Sequence, residues 1–348
     1  MTRAERSQSP PRVLFLHANT EDYLSDSLLH GLRLVLGERV VDVPRRDALY
    51  DDLPDERRSE LYGRGFTLYG RLHDPAPDRQ RPLLRVQDGE FDVVVFADIH
   101  RNWSPWVQLR PRLRALRRSG VTLVAVDGAD LPFMYPYGPT WWKQMRPWPL
   151  PRAHGRIAFF KRELSPITAW ARTYGLVPPS IAERHVLRDV RPLGFSIPAD
   201  RLATGREPKV KLLATHVVDP QVQALVPGTH TRYAFESETA YYEDLRSSRF
   251  GVTMRKGGWE TLRTYEIAAS GTVPCFRNLH AKPARSAPFG LVDDENCIAY
   301  RSAAELLGRL EAMGEDEYAR LRAGALAWAH ANTTRARATE FLRSIGVG

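Results

Sequence analysis

The chain has 348 residues, more than one hydrophobic core comfortably serves and enough for two domains of ordinary size. With 43% hydrophobic and 26% charged residues its composition is globular, which excludes wholesale disorder, and no apolar run nears the roughly 20 residues of a membrane-crossing helix. The net charge of +9 comes mostly from arginine interleaved with Asp and Glu, without a helix-turn-helix, zinc-finger or RNA-binding aromatic signature, so no nucleic-acid partner is expected.

Met1–Arg12 is polar and has no apolar centre of the kind a signal peptide carries. Together with the two cysteines, Cys275 and Cys297, this suits a reducing compartment and gives the expectation of a cytoplasmic protein. Short apolar runs follow at Val13–Leu16, Val93–Ala97, Val121–Val126 and Ile157–Phe160. Such runs read as strands buried on both faces, hence a parallel sheet. Ser25–Leu36 and Trp106–Arg118 repeat apolar residues at helical spacing between them, and the arginines at 110, 112, 114, 117 and 118 read as a solvated helix face. Asp51–Gln87 interrupts the alternation as an elaborated, partly loop-like insertion.

A boundary is expected between Pro192 and Lys209, where Pro198, Gly205 and Pro208 break a polar segment before a strand at Val210–Ala214. The alternation then resumes: Tyr241–Ser248 helix, Phe250–Met254 strand, Trp259–Ser270 helix, Val273–Phe276 strand, and helices at Ala303–Met313, Glu317–Ala331 and Thr333–Ile345. The fold class read from this is α/β: two Rossmann-like, doubly wound domains facing a cleft. Residues 1–195 form the first domain and 196–330 the second, and a terminal helix in 331–348 is expected to pack back on the first.

The most informative stretch is Ser248–Phe276. A strand ends at Met254, Arg255 and Lys256 follow, Gly257–Gly258 allow a tight turn, and a helix is expected from near Trp259. A helix N-terminus beside two cations and a glycine pair suits a diphosphate. Within that helix, the run Tyr265 to Pro274 resembles the E-A-x-A-x-G-x-x-P signature of the second domain of GT-B glycosyltransferases, nearest to the spore-coat-like and exostosin-like branch, with Arg263 three residues before Glu266. "FFKRE" at Phe159–Glu163 and "PLGFSIP" at Pro192–Pro198 look like the segment joining the two domains there. The resemblance implies that Glu266 binds the ribose hydroxyls of a nucleotide-diphosphate sugar. It also implies that Arg255, Lys256 or Arg263, with Gly257, Gly258 and Thr264, line the donor site.

Transfer with inversion needs a base, expected at a strand end of the first domain; the candidates are His17, Asp98, His100 and Asp127, with Asp130 beside them. The aromatic run Phe133–Trp148 suggests an acceptor contact through Tyr135, Trp141 and Trp142, for a small-molecule or glycan acceptor. No D-x-D triplet and no zinc-type histidine spacing occurs, so neither metal nor cofactor is expected, and the donor is a co-substrate. Oligomeric state is not legible. A non-catalytic nucleotide binder, a polyanion binder and a sugar-nucleotide epimerase of similar architecture stay open.

Overall fold

The structure is a computed structural model and describes residues 9–130, 157–168, 178, 181, 184, 190–233 and 235–347. Tyr135, Trp141 and Trp142 therefore lie outside the described residues.

The first domain is built on a six-stranded sheet of β1 (Val13–Leu16), β2 (Val40–Val43), β3 (Val93–Phe96), β4 (Thr122–Asp127), β5 (Ala158–Lys161) and β6 (Val190–Pro192), in the order β2-β1-β3-β4-β5-β6. Every neighbouring pair is parallel. Helix α1 (Tyr23–Leu36) follows β1 because Asp22 caps it, accepting from Ser25 N, and because Leu24, Leu28, Leu29 and Leu32 form one buried stripe. Gly37, at φ +58°, ends it. The expected insertion holds two short helices, α2 (Asp55–Glu60) and α3 (Pro82–Gln87), and is otherwise irregular. After β3 come α4 (Ser104–Leu109) and α5 (Leu113–Arg118), which bury Trp106, Leu113 and Leu116. Arg112, Arg114, Arg117 and Arg118 are exposed, as a solvated face requires. The strand β2, an apolar run with Asp42 in its middle, was not anticipated.

The second sheet holds β7 (Lys211–Leu213), β8 (Ser248–Met254), β9 (Val273–Arg277) and β10 (Ile298–Tyr300), again all parallel and in the order β10-β9-β8-β7. Its helices are α6 (Pro220–Leu225), α7 (Glu238–Arg246), α8 (Leu262–Ala269), α9 (Ala303–Ala312) and α10 (Glu315–Ala331). The terminal helix α11 (Thr334–Ser344) packs against α1 of the first domain. The His30 ring of α1 lies 3.0 Å from Thr334 Oγ1, and Thr334 N donates to Ile197 O in the segment between the two sheets.

Helix α8 begins at Leu262, three residues later than expected. Thr261 is extended (φ −133°, ψ 143°), and the amides of Trp259 and Glu260 are held by a side chain from the other domain. Its end is where Gly271 (φ +62°) and Pro274 place it.

The seam between α1 and α11 depends on a missing side chain. A Cβ on Gly31 would lie 2.0 Å from Thr334 O, whereas one on Gly308 of α9 meets nothing within 4 Å. Gly31→Ala is expected to destabilise by about 1–3 kcal/mol, and Gly308→Ala to stabilise by roughly 0.5–1 kcal/mol. Urea unfolding of the two variants measures both.

Candidate functional site

In parallel α/β sheets ligands sit beyond the carboxyl ends of the strands, where the chain reverses direction across the sheet. Both sheets present those ends to one cleft, a cavity of about 770 Å³ lined by residues of both domains. That volume lies within the range of small-molecule sites.

The second domain supplies Lys256, Gly257 and Gly258 after β8, then Thr261, Leu262, Arg263 and Glu266 from the start of α8. In the first turn of α8 Thr264 N donates to Thr261 O, while the Leu262 and Arg263 amides precede any i−4 partner within the helix and point from its positive end. Glu266 is buried, and burial raises its pKa. Thr67 Oγ1 donates to one of its oxygens at 2.5 Å and Tyr241 OH to the other at 2.5 Å. Arg263 does not pair with Glu266 directly. It donates to Val252 O, His216 O and Tyr241 OH, so Tyr241 relays between them. The guanidinium thus braces the site with three of its donors already committed.

Lys256 is the cation of the loop that lines the cavity. Arg255 is exposed and stacks over Trp259 at 5.1 Å instead. Thr264 is fully buried behind the cavity, its hydroxyl 3.2 Å from those of Thr253 and Thr261. The amides near Trp259, expected to meet a diphosphate, are occupied. Glu163 Oε1 accepts from Trp259 N at 2.7 Å and from Glu260 N at 3.3 Å. A Cβ on Gly258 would lie 2.4 Å from that carboxylate, so only glycine allows the approach.

Arg162, beside Glu163, ties the two domains together. It donates to Gly128 O and Glu260 O, pairs with Asp130 and stacks on Phe195 at 4.7 Å. Glu260 accepts from Phe195 N at 2.9 Å and from Tyr265 OH, yet burial still pushes its pKa up to about 7. His216, with its ring 5.4 Å from that of Tyr233, forms a wall of the cavity. Burial and Arg263 lower its pKa to about 3, so it is neutral.

On the opposite side the structure gathers three of the four candidate bases. His100 lines the cavity; its Nδ1 lies 3.1 Å from Asp98 and 3.5 Å from Asp127. Asp98 and Asp127 are buried behind it, and Lys161, wholly buried, lies 3.2 Å from Asp127. The cross-strand register of β4 on β5 sets that last pair side by side. Desolvation lowers the pKa of His100, with Arg101 and Lys161 helping and Asp127 and Asp22 opposing. His17 is elsewhere: its ring nitrogens face Ala18 O and Pro44 O, each at 2.7 Å, away from the cavity.

Asp22, Asp98 and His100 bring one ligand atom each within 4.8 Å of one another. The Arg101 guanidinium already stands there, 3.9 Å from Asp22 and 3.6 Å from Asp98, and Asp22 caps α1. A cation beside these three groups would share the space with that guanidinium.

The sequence matches no protein-family model and no curated protein. In three dimensions the chain is similar to HepE from Anabaena, solved with UDP and glucose: TM-score 0.51, 10% identity, covering 96% of this chain and 99% of HepE. It is also similar to a glycosyltransferase from Rickettsia africae: TM-score 0.50, 9% identity, covering 97% and 98%. The chain has the GT-B fold. In GT-B terms the cavity lies between the two domains, with Glu266 on the second and His100 on the first.

Thr67, Tyr241, Arg162, Glu163 and Asp22 were not singled out by sequence reasoning. "FFKRE" was the one signal that bore on any of them.

Asp98 makes a test of this electrostatics. Burial, then Asp22, raises its pKa from the usual 3.8 to about 9, so the folded chain holds it protonated while the unfolded chain ionises it. Folding stability from this group therefore falls as pH rises between those values. Asp98→Asn keeps the neutral shape and tolerates the observed φ of +52°. Its melting temperature relative to the native chain is expected to rise steadily from pH 4 to pH 9 in thermal scans.

Proposed function

We propose that the chain is a metal-independent glycosyltransferase, moving a sugar from a nucleotide-diphosphate donor to an acceptor hydroxyl. The observation that carries this reading is Glu266, a buried carboxylate on the first turns of a helix that opens onto an interdomain cavity. A carboxylate accepts from both hydroxyls of a ribose diol. HepE, of the same fold, is solved with UDP and glucose, which favours a nucleotide sugar as the ligand of this seat.

The Leu262 and Arg263 amides and Lys256 would then meet the diphosphate, where negative charge grows as the bond from the anomeric carbon to the phosphate oxygen breaks. His100 is the base. With Nδ1 turned toward Asp98 and Asp127, Nε2 is left for the cavity and takes the proton of the attacking acceptor hydroxyl. This makes the displacement single, with inversion at the sugar carbon.

Glu266→Ala is expected to weaken nucleotide binding tenfold or more, because a hydrogen bond to a charged group contributes roughly 1.5–3 kcal/mol. Glu266→Gln should lose less. Thermal shift against UDP, GDP, ADP, CDP and dTDP, followed by calorimetry, measures this, and unchanged affinity in folded Glu266→Ala overturns the donor site. Transfer should persist in EDTA. His100→Ala should lower kcat with nucleotide affinity retained, and the acid limb of kcat/KM in the native chain should fall below pH 6.5, because burial lowers the His100 pKa.

A further inference from the structure

Glu266 is engaged on both oxygens by protein hydroxyls, one from Thr67 and one from Tyr241. One hydroxyl on each carboxylate oxygen is the pattern a ribose diol would make. Tyr241 belongs to α7 of the same domain, but Thr67 comes from the insertion of the first domain, 199 residues away in sequence.

Thr67 is wholly buried and sits at φ +75°, a region that a β-branched residue rarely adopts. Gly63, Arg64, Gly65 and Gly70 around it also have positive φ. So unusual a backbone persists only where its surroundings over-determine it, and such sites cluster at clamps and switches. The surroundings do hold it. Thr67 N donates to Glu238 Oε1 at 2.6 Å, and Arg71 Nε donates to Thr67 O at 2.6 Å. Glu238 is in turn paired with Arg71, Arg58 and Arg201. Phe66 packs with Tyr241, Tyr242 and Ile267, next to the carboxylate.

We infer that the segment from Tyr62 to Leu72 is an intramolecular stopper, in which Thr67 competes with the donor's ribose for Glu266. A nucleotide seats fully only when the segment withdraws, turning about Gly63, Gly65 and Gly70, whose backbones tolerate the change. Glu238 is the latch: it holds the segment to α7 directly through Arg71 and the Thr67 amide, and through Arg58, which also donates to Gly65 O and Tyr69 O. This rests on the reading of Glu266 as the ribose ligand.

Thr67→Val keeps the β-branched shape and removes the hydroxyl; Glu238→Gln loosens the latch and leaves the hydroxyl in place. Calorimetry with UDP, GDP, ADP, CDP and dTDP is expected to show either variant binding the preferred nucleotide at least about fivefold more tightly than the native chain, since a competing hydrogen bond to a carboxylate is relieved. Hydrogen exchange of the native chain should show residues 63–70 exchanging faster when that nucleotide is added. Equal or weaker binding by both variants, or slower exchange at 63–70, overturns the stopper and makes Thr67 a brace for Glu266, with the donor site intact. Binding that appears only in the variants supports it most strongly. No binding of any of the five by native chain or variants overturns the stopper and the donor site together. Should Thr67→Val fail to fold, Glu238→Gln and the exchange experiment decide.

Discussion

Glu266 is the interaction on which the rest of the cleft depends. An ionised carboxylate without partners in a protein interior costs many kcal/mol, so the surrounding structure must supply donors. It does so from three directions: Thr67 from the first domain, Tyr241 from α7, and Arg263 one turn earlier on α8, acting through Tyr241. Arg263 in turn needs carbonyls, and takes them from Val252 on β8 and His216 beyond β7. One buried carboxyl group thus ties together two helices, a strand, the loop after β7 and the other domain. The same wiring makes the group exchangeable, because protein hydroxyls and ligand hydroxyls make equivalent bonds to a carboxylate.

A second buried charge, Arg162, does for the domain seam what Arg263 does for the surroundings of Glu266. It reaches Asp130 and Gly128 in its own domain and Glu260 in the other, while its neighbour Glu163 caps two amides of the glycine loop. Breaking such a pair leaves an uncompensated charge, so these contacts are strongly destabilising to remove even where the intact pair adds little. They bridge the two walls of the cleft, on which His100 and Glu266 stand. On the first-domain side Lys161 Nζ stands 3.2 Å from Asp127, one of the two carboxyl groups behind His100, while desolvation lowers the lysine's pKa.

The strands and helices were legible because their signals are local. Val93–Phe96 and Leu123–Val126 are unbroken apolar runs, and Gly271 ends α8 with the left-handed φ a helix terminus favours. The start of α8 was misplaced at Trp259 because Glu163, almost a hundred residues away, takes the two amides that would otherwise open it. Arg255 and Lys256 look alike in sequence; packing against Trp259 separates them. Likewise nothing in the sequence around His17 shows that Pro44 O and Ala18 O hold its ring. Thr67 lies in a stretch without periodicity, and its meeting with Glu266 depends on how an irregular loop crosses the cleft.

A crystal structure of the chain grown with a nucleoside diphosphate tests the central claim most directly. The account predicts ribose hydroxyls on the Glu266 carboxylate, with phosphate oxygens at the Leu262 and Arg263 amides and near Lys256. A nucleotide bound elsewhere, with Thr67 and Tyr241 still on Glu266, would contradict it.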